Sequence, residues 1–169
     1  MAFIETAAQV ISFATYDDVV ARDGRIFVEN EGLSQTVVED LLVRSTARVL
    51  SQLRASDWWV TLYLKQSGGS GIQSRADIPE LDAKNILSRK DDFTDLTVYH
   101  CLHEFILPKI ADFGREDNAE RQKIGFYQQK YDALFGELIT AGDWYDFDED
   151  DIIESSEKDP GVVNPRRIR

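Results

Sequence analysis

The sequence has very few residues that could form disulfides or bind transition metals. Cys101 is the only cysteine, so no disulfide can form within the chain, and a reducing compartment is the expected setting. There are only two histidines, His100 and His103, and no third imidazole to complete a zinc site. Because no nucleophile elbow, phosphate-binding loop or dinucleotide motif occurs either, we expect a protein that is not an enzyme and requires no cofactor.

Long apolar runs and an excess of positive charge are also missing. No stretch approaches the ~18 uninterrupted apolar residues of a membrane span, and no cationic segment precedes the apolar N-terminal residues, so neither membrane insertion nor secretion is expected. The chain has 31 acidic and 19 basic residues and a net charge of -12. Such a surface repels nucleic-acid phosphate, which argues against binding along a DNA backbone.

The residues that are present predict a mainly α protein. With 169 residues, of which 43% are hydrophobic, the chain is long enough for one domain with a real core. We predict a small helical bundle over residues 1–157, interrupted by a long flexible loop at 66–80, and an extended basic C-terminal arm at 158–169. The first twelve residues are compatible with either a strand or a short helix.

Helix signals in the first half are local and clear. Thr15 is a predicted N-cap for a short helix that ends at Gly24, and the following RIFVENEGLS favours a brief extended segment. Ser34 should cap a long amphipathic helix. The apolar stripe of that helix comprises Val37, Val38, Leu41, Leu42, Val49, Leu50 and Leu53.

The next segment, DWWVTLYLKQ, begins with a predicted N-cap at Asp57 and reads as a short helix or a strand. Trp58 and Trp59 are neighbours, so their side chains should point in different directions. At most one of them fits comfortably into a given core pocket, and we predict the other as an anchor for a partner protein.

Residues 92–142 predict a helical hairpin. Gly114 is the expected end of its first helix, and Asn118 is the expected N-cap of its second. Pro108 lies inside the first helix and should kink or break it near Phe105, because proline removes a backbone hydrogen bond and clashes one turn back. His100 and Cys101 are successive helical positions and diverge, so we do not expect a catalytic pair. We interpret the histidines as satisfied core or helix-surface residues and Cys101 as a small buried hydrophobe.

The acidic run DFDEDDIIESSE after the hairpin has the spacing of an EF-hand calcium loop. The predicted calcium ligands are Asp146, Asp148, Asp150, the carbonyl of Ile152 and Glu157. Glycine is expected at the sixth position, where Asp151 stands instead, and Pro160 and Gly161 prevent a long exiting helix. The alternative is an acidic turn without metal, pinned to the core by Ile152 and Ile153.

The C-terminal segment VVNPRRIR is basic on an otherwise acidic protein. It is either a plain tail or an arm that docks on an acidic surface of a neighbour through guanidinium–carboxylate pairs. The residues predicted to make this contact are Val162, Val163, Arg166, Arg167 and Arg169.

This order of parts resembles the head-tail connector proteins of tailed bacteriophages, also called adaptor or head-completion proteins. The resemblance is carried by YDDVVARDG, the capped helix from Ser34, YQQKYDALFGELI and the following GDWYDFDEDDIIESSEK. Residues 58–91 have no counterpart in that pattern.

The resemblance implies a virion protein, made in the host cytoplasm and located at the head-tail junction. It implies a ring, typically of twelve copies, that binds the portal protein and the stopper or tail proteins and extends the DNA channel. DNA would pass through an acidic lumen without specific binding. The C-terminal arm, from Val162 to Arg169, would lie against the portal or a neighbouring subunit. The alternative function is a calcium-dependent interaction protein that uses the acidic loop.

Overall fold

The computed structural model describes residues 3–5, 10–28, 32–68, 72, 74–114 and 118–158, and it is mainly helical, as the sequence predicts. Two short antiparallel strands, β1 (Ile4–Glu5) and β2 (Val10–Ser12), form the one sheet of the described residues. Of the two alternatives for the N-terminal segment, strand or short helix, the described residues Ile4–Glu5 and Val10–Ser12 form strands. Phe3 and Phe13 place their rings 4.6 Å apart in the core beneath this hairpin.

Two short helices follow the strands. Helix α1 (Tyr16–Asp23) begins after Thr15, whose backbone N–H and hydroxyl both donate to the Asp18 carboxylate, and it ends at Gly24, as predicted. The extended segment predicted next is wrong, because α2 (Arg25–Val28) is helical. Ile26 is buried and the Phe27 ring packs 5.1 Å from the Tyr16 ring, so tertiary contacts outweigh the β-branched character of this segment.

Helices α3 (Gln35–Ala55) and α4 (Asp57–Ser67) form the centre of the bundle. Ser34 caps α3 as predicted, since its hydroxyl accepts a hydrogen bond from the Val37 N–H. The N-cap of α4 is Ser56 rather than the predicted Asp57, which is the first helical residue. A serine hydroxyl can accept the Trp59 N–H from that position, while the Asp57 carboxylate bonds to Arg75 instead.

The described part of the 66–80 segment is attached to the core. After α4, two single-turn 3-10 helices cover Arg75–Asp77 and Ala83–Asn85. The Arg54 guanidinium donates to the carbonyls of Ala76 and Ile78, and the Trp59 indole N–H donates to the Pro79 carbonyl at 2.9 Å. Ile78 itself is buried.

Helix α5 (Lys90–Cys101) continues into a π-helical turn, Leu102–Ile106, and a short α6 (Leu107–Ile110). Near Phe105, where a kink or break is predicted, the helix continues through this π-helical turn, because Pro108 cannot donate the backbone hydrogen bond that a regular α-helix needs there. The prediction that Gly114 ends this helix is wrong. Ala111 caps it, only three residues after the proline.

Helix α7 (Ala119–Ala141) packs against α5, the π-helical turn and α6. It is capped by Asn118, whose side chain accepts the Arg121 N–H at 2.9 Å, as predicted. The chain then forms the acidic loop and a last short helix, α8 (Ser155–Lys158). Within the described ranges, none of the helices combines the length and apolarity that crossing a membrane requires.

Candidate functional site

The acidic loop, residues 146–157, starts from a buried aromatic cluster. Trp144 is fully buried, and its ring lies 4.4 Å from that of Trp58 and 4.9 Å from that of Phe93. Its indole N–H donates to the Leu138 carbonyl at 2.8 Å, which is a second bond to an oxygen that also accepts the Gly142 N–H at 3.0 Å. The residues that lead into the loop, Trp144 and Tyr145, are therefore packed into the buried aromatic cluster.

Backbone pairing fixes the entrance of the loop against the segment before α5. Tyr145 forms an isolated antiparallel bridge with Ile86. The Leu87 N–H donates to the Trp144 carbonyl at 3.1 Å, and the Asp146 N–H donates to the Asn85 carbonyl at 2.9 Å. The loop is thus tied to a part of the chain about sixty residues earlier, which sequence spacing alone does not reveal.

Both tryptophans of the Trp58–Trp59 pair belong to this cluster. Trp58 is 5% exposed and Trp59 is 2% exposed, with their ring centroids 6.0 Å apart. The prediction that one of them is an exposed anchor for a partner is therefore wrong. The two rings do not enter separate environments as predicted, because Tyr145 contacts both of them edge-on and the pair shares one aromatic cluster.

Asp146 shapes the first half of the loop. It is 2% exposed, and its two carboxylate oxygens accept the backbone N–H groups of Glu149 at 2.9 Å and Asp151 at 2.8 Å. Glu149 and Asp151 both have left-handed backbone conformations, with φ of 64° and 66°. Asp151 therefore adopts at the sixth position the turn for which a calcium loop ordinarily uses glycine.

Glu157 closes the loop from its other end. It is also 2% exposed, and one carboxylate oxygen accepts the N–H groups of Phe147 at 2.6 Å and Asp148 at 3.3 Å. Its second oxygen accepts the Glu154 N–H at 2.9 Å. One buried carboxylate thus joins the first and last residues of the loop through three backbone hydrogen bonds, which compensate the cost of burying its charge.

Three of the five predicted calcium ligands come together. One carboxylate oxygen from each of Asp146, Asp148 and Glu157 lies within 4.8 Å of the other two. Asp150 does not join them, because its carboxylate accepts the Ile152 N–H at 2.9 Å. The side chain of Ile152 is 62% exposed, so it does not pin the loop to the core, as the alternative without metal had supposed.

The oxygen donors suit a hard divalent cation, although they form an incomplete set. Desolvation, followed by the charges of the surrounding carboxylates, raises the pKa of Asp148, so a cation would relieve unfavourable electrostatics. Asp146 and Glu157 already accept backbone N–H groups, but both oxygens of Asp146 and the second oxygen of Glu157, which each accept one such bond, keep a second lone pair. Calcium takes about six to eight oxygen ligands, so water would have to supply several of them.

The histidine–cysteine group lies elsewhere, between α3, α5 and α7. Cys101 is fully buried, and burial raises the pKa of its thiol to about 12, so it stays protonated at neutral pH. His100 is 4% exposed, and its pKa is lowered to about 4 by burial, by His103 and by Arg48. The thiol and the imidazole are therefore both neutral.

A groove beside His100 was not identified from the sequence. It has a volume of about 460 Å³ and is lined by Arg44, Ala47, Arg48, Ser51, His100, Glu104 and Phe105. The sequence contains one indication of this groove, the four-residue spacing of Arg44 and Arg48, which places both arginines on one face of α3. Their position opposite the π-helical turn depends on tertiary packing.

The predicted C-terminal contact residues, Val162, Val163, Arg166, Arg167 and Arg169, lie outside the described residues. Comparison of the chain with protein-family models, curated proteins and solved structures finds no match.

Proposed function

We propose that this chain is a structural protein of a bacteriophage neck, an adaptor that assembles as a ring between the portal and the stopper or tail proteins. The observation that carries the proposal is the construction of the acidic loop. Two buried carboxylates, Asp146 and Glu157, accept five backbone hydrogen bonds between them and hold the loop on an aromatic base. The loop is built as a firm surface feature for contact with another protein.

The outer side of this loop suits contact with a protein rather than catalysis. Asp148, Glu149, Asp150 and Asp151 are exposed, and the apolar side chain of Ile152 stands beside them. A preformed loop loses little conformational entropy when it binds, so such a surface can contribute affinity efficiently. This supports an interaction role without an enzymatic step.

The charge of the protein is compatible with a channel for DNA. A net charge of -12 repels phosphate and would let DNA move through a lumen without adhering. The basic residues Arg166, Arg167 and Arg169 are concentrated at the C-terminus, from where they would dock on the portal or on a neighbouring subunit.

The first test is mass spectrometry of purified phage particles from the source, followed by gold labelling with an antibody against this chain. We expect the protein at the junction of head and tail. Its absence from the particles would refute the proposal. The arm is tested separately by replacing Arg166, Arg167 and Arg169 with alanine, which should weaken capture of the portal protein without unfolding the chain.

A calcium-dependent interaction protein is the second candidate, favoured by the convergence of Asp146, Asp148 and Glu157. Asp148→Asn is the sharpest test, because the Asp148 side chain accepts no hydrogen bond from any described residue and the loop scaffold should survive its replacement. Calorimetry with Ca²⁺ should give heat for wild type and much less for Asp148→Asn. Asp150→Asn is the matched control, since Asp150 lies outside the converging set. No heat with wild type would reject the site.

A further inference from the structure

The groove between α3 and the π-helical turn has the chemistry of a site for carboxylates. Arg44 and Arg48 are one turn apart on the exposed face of α3, with Ser51 one turn further along. Facing them are His100, at the end of α5, and Phe105, in the π-helical turn. π-Helical turns occur frequently at functional sites, because the extra residue displaces side chains from their regular helical positions.

Among the described residues, the two arginines have no partner of opposite charge. Four other arginines each pair with a carboxylate: Arg22 with Asp95, Arg54 with Glu80, Arg75 with Asp57 and Arg89 with Asp143. By contrast, no carboxylate of the described residues forms an ion pair with Arg44 or Arg48, although Glu104 lines the same groove.

The surroundings of the two guanidinium groups are also incompletely satisfied. Arg44 lies over the Phe105 ring at 4.8 Å, and the nearby charge of Arg48 contributes to the low pKa of His100. The Nδ1 atom of His100 is buried without a hydrogen-bond partner among the described residues. Two guanidinium groups without an ion pair among the described residues thus lie beside a buried polar atom that lacks a hydrogen-bond partner there, and such an atom calls for an explanation.

We infer that this groove receives the acidic loop of a second copy of the chain. The exposed carboxylates of Asp148 and Asp150 match the two guanidinium groups, which form strong, often bidentate bonds with carboxylates. The exposed Ile152 beside them matches the apolar ring of Phe105. Phosphate of a DNA backbone is a poorer fit, because it has no apolar group to set against the ring of Phe105.

The contact would be heterologous, since the loop and the groove share no residue. A heterologous contact repeats from one copy to the next and closes into a ring when the rotation between copies allows it. The inference rests on the proposed function only in that these contacts close into a ring. The contact itself is tested with the purified protein alone.

The experiment measures self-association of the full-length chain by sedimentation velocity and native mass spectrometry. A groove variant, Arg44→Gln with Arg48→Gln, and a loop variant, Asp148→Asn with Asp150→Asn, should each associate at least about tenfold more weakly than wild type, because charge-assisted contacts are lost. Added salt should weaken the wild-type assembly. Arg121→Gln and Glu137→Gln, which neutralise exposed charges on α7, are the matched controls and should associate like wild type.

Mixing the two variants gives the decisive result. The groove variant keeps an intact loop and the loop variant keeps an intact groove, so together they should form a 1:1 dimer that grows no further. Circular dichroism and thermal unfolding confirm that both variants are folded before they are mixed.

Several outcomes would overturn the inference. These are a wild-type chain that stays monomeric at about 1 mM, equal losses in the test and control variants, and a mixture without the 1:1 dimer. Duplex DNA that binds wild type but not the groove variant, without self-association, would assign the groove to phosphate instead. Presence or absence in phage particles is a separate measurement, so failure of the proposed function and failure of this contact are distinguishable.

Discussion

Gly142 is the joint between α7 and the acidic loop, and replacing it with alanine should destabilise the protein strongly. Gly142 ends α7 in a left-handed conformation, with φ of 55°, while its N–H donates to the Leu138 carbonyl at 3.0 Å. A Cβ atom at this position would lie 2.6 Å from Nε1 of Trp58 and 3.1 Å from the Lys158 carbonyl oxygen. The first distance is far below normal contact, so the indole or the backbone must move.

The magnitude follows from two costs. An L-residue in the left-handed region costs about 1–2 kcal/mol. Overpacking a dense site costs about 1–3 kcal/mol more, and Trp58 has little room because Trp144 lies against it at 4.4 Å. We therefore expect Gly142→Ala to lower the free energy of unfolding by about 2–5 kcal/mol. That corresponds to a loss of roughly 5–15 °C in Tm for a domain of this size.

Gly136→Ala is the matched control, with the opposite expected sign. Gly136 lies inside α7 on its exposed side, and an added Cβ would meet nothing within 4 Å. Alanine there should stabilise the protein by about 0.5–1 kcal/mol, because glycine is costly in a helix interior. Thermal and urea unfolding of both variants, followed by circular dichroism, gives the comparison. A Gly142→Ala variant at least as stable as wild type would refute the packing described for this joint.

Three further predictions concern buried polar groups and a helix cap. Glu157→Gln should lower the free energy of unfolding, measured by denaturant titration, by about 1–3 kcal/mol. The reason is that the new amide NH₂ must face a backbone N–H where a carboxylate oxygen accepted it. The exposed control, Glu137→Gln, should have little effect. The pKa of His100 is about 4 in the folded chain, below its value near 6.5 in the unfolded chain. As the pH falls, the unfolded chain therefore binds the proton first, so the stability of the protein should decrease between about pH 6.5 and pH 4. Allowing for solvent screening, this loss is about 1–3 kcal/mol, and an unchanged pH profile in His100→Phe would contradict the assignment. Asn118→Ala should cost about 1 kcal/mol, measured as a lower Tm, because α7 loses the side chain that caps its first turn.

The sequence predicts the helix starts best where the capping interaction is local. Thr15, Ser34 and Asn118 each bond to a backbone or side-chain group within three residues, so the signal and the structure lie in the same short segment. The irregularity before Pro108 is predictable for the same reason, because the proline acts directly on the preceding turn.

Two of the wrong predictions have a different cause. The segment from Arg25 to Val28 becomes helical where Phe27 packs against Tyr16 of α1, and Trp58 and Trp59 are both buried because Tyr145, some ninety positions later, contacts them. No periodicity within either segment records those contacts. Local propensity is a weak guide wherever burial by a distant segment decides the outcome.

For the acidic loop, too, part of the structure is predictable from local sequence and part is decided by tertiary contacts. The alternating aspartates and the glutamate at the twelfth position establish from sequence alone that several carboxylates must share one loop. Only the tertiary structure decides that Asp146 and Glu157 are buried as backbone acceptors, that Asp150 turns away, and that Arg44 and Arg48 lie beside His100 with no ion pair among the described residues. Spacing fixes which groups are neighbours along the chain, but burial and pairing depend on segments that meet only when the chain folds.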